Sequence, residues 1–348
     1  MKAILFCINP YAFGILKPLH DELIKRGDDV LWFIPKKIES GFPYKNEVKV
    51  SDSIKELYDF KSDAIFVPGN EVPHFLTGVK VQVFHGLAGE KKGHFRIRNY
   101  FDLYLTQGPY FTERFTELSK KFKDFEVIET GWCKLDTLFQ NHALYKEERD
   151  ILLSKHGKKN LVLFAPTFSP SLTCAMIAKD EIFKIADKED IFLQIKFHDL
   201  MNPQVTEEYK RMAGLRSNVQ IVNDRNILKY MIMADFMISD TSSVVYEFIL
   251  LNKPVITINS HSDNINWCDI ANPSYLSSVF EKELKEDNFR SARGNTIDQY
   301  HPYTDGNSSA RMIAAVENYI QRNGIPNKRK INIYRRYLMN KMFGSKPQ

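Results

Sequence analysis

Metal and redox fingerprints are missing from this chain. Its four cysteines, Cys7, Cys133, Cys174 and Cys268, lie far apart, with no C-x-x-C for zinc or dithiol chemistry. A reducing compartment is therefore expected. No G-x-G-x-x-G, no G-x-x-x-x-G-K-[ST] and no H-E-x-x-H occurs, which disfavours dehydrogenase, P-loop and zinc-protease chemistry. No two aspartates flank a single residue, so the Asp-x-Asp metal clamp of many nucleotide-sugar transferases is absent. A diphosphate held here would rely on backbone dipoles and basic side chains. The sequence requires no cofactor and offers no metal site; a divalent cation stays open as an addition.

Long hydrophobic runs are lacking too. Ala3–Ile8 and Ile249–Leu251 fall far short of the roughly 18–20 residues that cross a bilayer. The apolar stretch before Asn9-Pro10 is too short for a signal peptide and reads as a first buried strand. Acidic residues are absent from 321–348, which carries eight Lys and Arg, whereas the whole chain of 348 residues has a net charge of +5. A nearly neutral globule with a basic tail is expected, the tail being the part that meets an anionic surface.

What is present is alternation. Strand-like runs at Lys2–Ile8, Val30–Ile34, Ala64–Val67, Val81–Phe84, Leu103–Thr106 and Glu126–Glu129 are interleaved with helical patterns such as Ile15–Arg26 and Tyr110–Lys121. A second series runs through Leu161–Ala165, Ile191–Phe197, Val219–Val222, Phe236–Ser239 and Pro254–Ile258, with helical stretches at Asn226–Ala234 and Ser242–Leu251. This predicts an α/β protein of two doubly wound, Rossmann-like domains facing a central cleft, with ligands beyond the carboxyl ends of the strands. The expected division is 1–140, a polar connection 141–159, a nucleotide-donor domain 160–305, and a helix with basic tail over 306–348.

Several groups at predicted strand ends could carry chemistry. After Phe236–Ser239 come Asp240, Thr241, Ser242 and Ser243, then a helix bearing Glu247. The hydroxyls and unpaired N–H groups of such a helix start suit phosphate, although ordinary capping uses the same residue types. His85-Gly86 follows a strand directly: the imidazole could accept a proton and the glycine allows close approach, while a lone loop histidine can also be structural. Lys91 and Lys92 could meet a phosphorylated acceptor or form a solvated basic face. Lys196 and His198 close the strand from Ile191, and alternation puts them on the same side, where they suit a diphosphate. Pro166 terminates another strand, and the adjacent Thr167 could bond a substrate.

In order and spacing, His85-Gly86, Gly131 through Asp136, Ala165-Pro166-Thr167, Lys196-x-His198, Asp240-x-Ser242-Ser243, Lys253-Pro254-Val255 and Asp305-Gly306 resemble the CDP-glycerol glycerophosphotransferase family of teichoic-acid primases and polymerases and their capsule and lipopolysaccharide relatives. The resemblance covers His85 to Arg311. It implies a GT-B-type fold whose C-terminal helix crosses back to the first domain. It further implies transfer of glycerol phosphate or ribitol phosphate from a CDP-activated donor to a hydroxyl of a glycan or lipid-linked acceptor, releasing CMP. On that reading His85 is the general base, and His198 and Lys196 meet the donor diphosphate. Ser242 and Ser243, with Asp240, Thr241, Glu247, Gly86, Pro166 and Thr167, belong to the donor site, and Gly131 and Asp136 to an acceptor or secondary site. The alternative is a GT-B glycosyltransferase using a CMP-, UDP- or GDP-sugar. An epimerase and a non-catalytic scaffold rank below it.

Residues 327–348 mix cations with Ile331, Ile333, Tyr334, Tyr337, Leu338, Met339, Met342 and Phe343. That pattern suits an interfacial helix on anionic lipid. No nucleic-acid partner is expected. The predicted place is the cytoplasm, peripheral at the inner face of the membrane.

Overall fold

A computed structural model of the chain describes residues 1–87, 94–224, 227–262, 265–326, 329 and 331–347. Lys91 and Lys92 lie outside the described residues. The chain divides into two units, the first made of Met1–Phe139 with Tyr300–Gln348 and the second of Gln140–Gln299.

In the first unit, seven strands form one parallel sheet: β1 (Lys2–Phe6), β2 (Asp29–Phe33), β3 (Val50–Ser51), β4 (Ala64–Val67), β5 (Val79–Gln82), β6 (Leu103–Thr106) and β7 (Glu126–Glu129), ordered β3-β2-β1-β4-β5-β6-β7. Strands β4, β5 and β6 are buried throughout, as expected where helices cover both faces of a parallel sheet. The strand order reverses between β1 and β4, and the crevice beyond their carboxyl ends is where such sheets bind ligands.

The second unit repeats the plan with β8 (Asn160–Phe164), β9 (Ile191–Ile195), β10 (Val219–Ile221), β11 (Phe236–Ser239), β12 (Val255–Ile258) and β13 (Cys268–Ile270) in a parallel sheet ordered β10-β9-β8-β11-β12-β13. Its reversal lies between β8 and β11. Phe164, Phe183, Ile195, Tyr209, Phe236 and Phe280 are among the fully packed residues of its core.

Two expected boundaries are corrected. Residues 141–159 are not a connection: they form the helix His142–His156, which packs on the helix Ile227–Met233 inside the second unit. Arg149 and the Leu161 N–H both donate to the Asp235 carboxylate, which ties that helix to the sheet. Residues 300–305 belong with the first unit rather than the second. They lead into the helix Ser308–Asn323, which packs on the helix Phe13–Lys25 of that unit.

That return to the first unit is held by Gly131 and Asp136. Asp136 is buried, and its two carboxylate oxygens accept the N–H groups of Ser308 (2.8 Å) and Ser309 (2.7 Å), capping the helix. Gly131 has φ +79°, and a Cβ there would lie 2.5 Å from Ser308 Oγ and 3.0 Å from the Tyr303 ring. His301 Nε2 accepts the Trp132 N–H alongside. Gly131 and Asp136, expected at an acceptor or secondary site, are engaged within the fold: a carboxylate bonded through both oxygens to a helix start and a glycine hemmed in by its neighbours anchor the C-terminal segment.

Candidate active site

In the first unit, His85 sits in the β1/β4 crevice, although it follows β5 by three residues. Phe84 reaches the left-handed region, φ 61°, a costly turn for a bulky residue, and delivers the following imidazole toward the β4 loop. The His85 Nδ1 lies 3.1 Å from the Pro68 carbonyl, just past β4, and its ring centroid lies 5.3 Å from that of Tyr11, just past β1. Gln82, buried in β5, donates to the same Pro68 carbonyl (3.2 Å) and to the Gly69 carbonyl (2.9 Å), fixing the group that orients the histidine. A carbonyl oxygen only accepts, so Nδ1 carries the proton and the neutral ring has its lone pair on Nε2. That is the tautomer of a base. The Gly86 carbonyl accepts from Gln107, and a Cβ added to Gly86 would meet nothing within 4 Å among the described residues, so these leave room for close approach to the backbone beside His85.

In the second unit, Asp240 follows β11 and is 1% exposed. Its carboxylate accepts the N–H groups of Thr167 and Cys174, both at 2.9 Å. Burial pushes its pKa up, while those bonds hold it down. Asp240, expected in the donor site, engages both oxygens with the loop after β8, and a carboxylate repels phosphate, so its part there is indirect. It positions Thr167, which is half-buried beside the buried Pro166. Thr241 is also spent structurally, its hydroxyl accepting the His261 N–H at 2.9 Å. The helix starts at Val244 rather than directly after Asp240, and Ser243 is its N-cap without a side-chain capping bond. Ser242 is half-buried and Ser243 exposed; Glu247 is buried within the helix.

Alternation does not place Lys196 beside His198, because β9 ends at Ile195. Lys196 is 8% exposed and turns its ammonium onto the Phe197 carbonyl, 2.7 Å away. Burial lowers its pKa, opposed by Asp199 and Asp224. His198 is exposed, its ring packed on Phe168 with centroids 4.4 Å apart, and its Nδ1 accepts the Leu200 N–H at 3.1 Å. Lys253, from the Lys-Pro-Val segment, caps the helix Ile227–Met233 through the carbonyls of Met231, Ile232 and Ala234. Among the described residues no group of three or more His, Cys, Asp or Glu could hold a metal ion.

The family model for CDP-glycerol:poly(glycerophosphate) glycerophosphotransferase matches residues 77–264, more than half of the chain. The chain belongs to this family. Relatives of this glycerophosphotransferase-family chain include teichoic acid ribitol-phosphate polymerase TarL of Staphylococcus aureus, 26% identical over 67% of this chain and 46% of the relative. Another is the teichoic acid glycerol-phosphate primase of Bacillus subtilis, 25% identical over 62% of this chain and 58% of the relative. The chain thus spans about half the length of the curated relatives it matches. Among solved structures, the wall teichoic acid polymerase TagF superposes with a TM-score of 0.67 at 16% identity, over 92% of this chain and 89% of that one. UDP-GlcNAc 2-epimerase from Neisseria meningitidis superposes with a TM-score of 0.65 at 14% identity, over 91% and 100%. These likenesses bear on the fold, which is of GT-B type with two parallel-sheet α/β units.

The family span takes in His85, Thr167, His198, Ser242 and Ser243. Pro68, Gln82, Tyr11 and Phe168 escaped the sequence reading. Gln82 had one signal, a polar residue inside the otherwise apolar run Val81–Phe84.

Proposed function

We propose that this chain transfers a polyol phosphate, either glycerol phosphate or ribitol phosphate, from its CDP-activated form to a hydroxyl of a lipid-linked or glycan acceptor, releasing CMP. The observation that carries the reading is the His85 tautomer, with Nδ1–H on the Pro68 carbonyl and the lone pair on Nε2. In this reading the acceptor oxygen attacks the phosphorus bearing the polyol. The bond from that phosphorus to the bridging oxygen of CMP breaks, and the hydroxyl proton passes to His85 Nε2. The departing CMP phosphate has a second pKa of about 6, so it leaves without needing an acid. Ser242 and Ser243 supply hydroxyl donors to the donor phosphates, and little beyond alignment and charge stabilisation is required. The names of the relatives, ribitol-phosphate polymerase and glycerol-phosphate primase, support a CDP-polyol over a sugar nucleotide. The test is CMP release by the pure chain from CDP-glycerol and CDP-ribitol with a polyol-phosphate-primed acceptor.

The basic tail supports a lipid-linked acceptor. It is not free: Met339 of the helix Ile333–Phe343 is buried, Phe343 meets Phe6 edge-on with centroids 5.5 Å apart, and the Arg335 guanidinium lies over Tyr100. The other side exposes Ile333, Tyr334, Tyr337 and Met342, with Arg336 and Lys341 also exposed. Large apolar and aromatic groups among cations suit an anionic bilayer surface. Co-sedimentation with phosphatidylglycerol vesicles at low salt is expected to fall about tenfold or more in a Tyr334→Ser, Tyr337→Ser variant, since two exposed rings that would enter the bilayer surface are lost. Equal sedimentation of variant and wild type would remove the lipid reading. Among the described residues no helix is long and apolar enough to cross a membrane.

A further inference from the structure

Resting on the donor-site reading above, we infer that His198 works as a neutral Nε2–H hydrogen-bond donor, and that Phe168 is the positioning residue that holds it so. His198 Nδ1 receives the Leu200 backbone N–H at 3.1 Å. A backbone N–H only donates, so Nδ1 holds a lone pair, and the proton of the neutral ring is on Nε2. Protonating Nδ1 would set two N–H groups against each other and cost the bond. His198 is thus locked in the tautomer opposite to that of His85, whose Nδ1–H faces a carbonyl. One ring is built to take a proton through Nε2 and the other to offer a hydrogen bond through Nε2.

The lock works only in the ring orientation that brings Nδ1 to Leu200, and Phe168 supplies that orientation. Its ring packs on the imidazole at 4.4 Å with a 32° tilt, from the loop after β8 that Asp240 pins through Thr167 N–H. The charged groups near His198 oppose one another: Lys196 disfavours the imidazolium and Asp199 favours it. Burial tips the balance, and the pKa of His198 lies below its ordinary value. An Nε2–H donor offers phosphate an N–H with or without the ring's second proton. Phe168 is 37% exposed, so it can be changed without opening the core.

The experiment is a pH titration of the 15N-histidine-labelled chain without ligand, with His198 assigned by its loss in His198→Gln. The expected wild-type spectrum is the Nε2–H tautomer, titrating below the usual imidazole range. In Phe168→Ala the ring is expected to mix tautomers and titrate higher, with the His85 signals unmoved, while Phe168→Tyr restores the wild-type state. In CMP-release assays, Phe168→Ala is expected to raise the donor KM about tenfold with kcat within about twofold, the scale of one lost bond to a charged group. His198→Gln, whose amide N–H overlays Nε2, should keep more donor affinity than His198→Asn. An Nδ1–H tautomer or an imidazolium at pH 7 in the wild type would overturn the inference, as would an unchanged titration and KM in Phe168→Ala. The spectra need no turnover, so failure of the transfer reading shows as silent CMP assays with the tautomer intact.

Discussion

Replacing His85 with alanine is expected to slow CMP release by roughly 10²–10⁴-fold, the range general-base catalysis supplies. The side chain is exposed, so the fold should survive its removal. His85→Gln separates the base from a mere contact: it keeps a polar atom near Nε2 but cannot take the hydroxyl proton, so its rate should be as low as that of the alanine variant. Donor affinity should stay within about threefold of wild type in both, because the proposed role of His85 is to take the acceptor's proton and not to bind the donor. A rate within tenfold of wild type in both variants would remove His85 from the chemistry.

Replacing Asp102 with alanine is expected to destabilise the first unit by about 3–5 kcal/mol, the scale for breaking a buried ion pair from one side. Asp102 and Arg329 are both buried. Asp102 accepts from Arg329 Nε at 2.9 and 3.1 Å, from Arg329 Nη2, and from the Lys80 N–H at 2.7 Å. Arg329 also donates to the Gly78 carbonyl, and the buried Lys80 ammonium to the Leu76 carbonyl, both at 2.7 Å. With alanine, a guanidinium stays in the interior without its counter-charge and a strand N–H loses its acceptor. Burial and the Arg329 charge depress the Lys80 pKa and Asp102 opposes them, so removing the carboxylate also takes away the charge that favours the Lys80 ammonium. Urea unfolding should show the midpoint falling with the slope unchanged. Asp102→Asn, which keeps an acceptor for Lys80 N–H, should fall between. A change under about 1 kcal/mol in the alanine variant would mean that the tail is not fastened there.

Much of the architecture was legible because parallel strands covered on both faces read as short apolar runs. Strands β4, β6, β7 and β11 fall on the expected residues, whereas β3 and β13, of two and three residues, carry no run to read. The helix His142–His156 looks like a connection because its sequence is mostly polar, and its anchors are ion pairs such as Arg149–Asp235 that sequence alone does not join. At the site, position was legible: His85, His198 and Ser242-Ser243 all follow strands. Role was harder to read. Asp136 and Asp240 look like ligands in a motif but serve backbone N–H groups of their own chain. The two histidine tautomers depend on the Pro68 carbonyl and the Leu200 N–H, backbone groups whose direction no side-chain pattern encodes.

The most direct test of the central claim is CMP release by the pure full chain from a donor panel of CDP-glycerol, CDP-ribitol, CMP-sugars, UDP-sugars and GDP-sugars, with a lipid-linked polyol-phosphate acceptor and with and without magnesium. The account predicts acceptor-dependent CMP release from a CDP-polyol, lost in His85→Ala. Turnover of a sugar nucleotide, with both CDP-polyols inert, would contradict it.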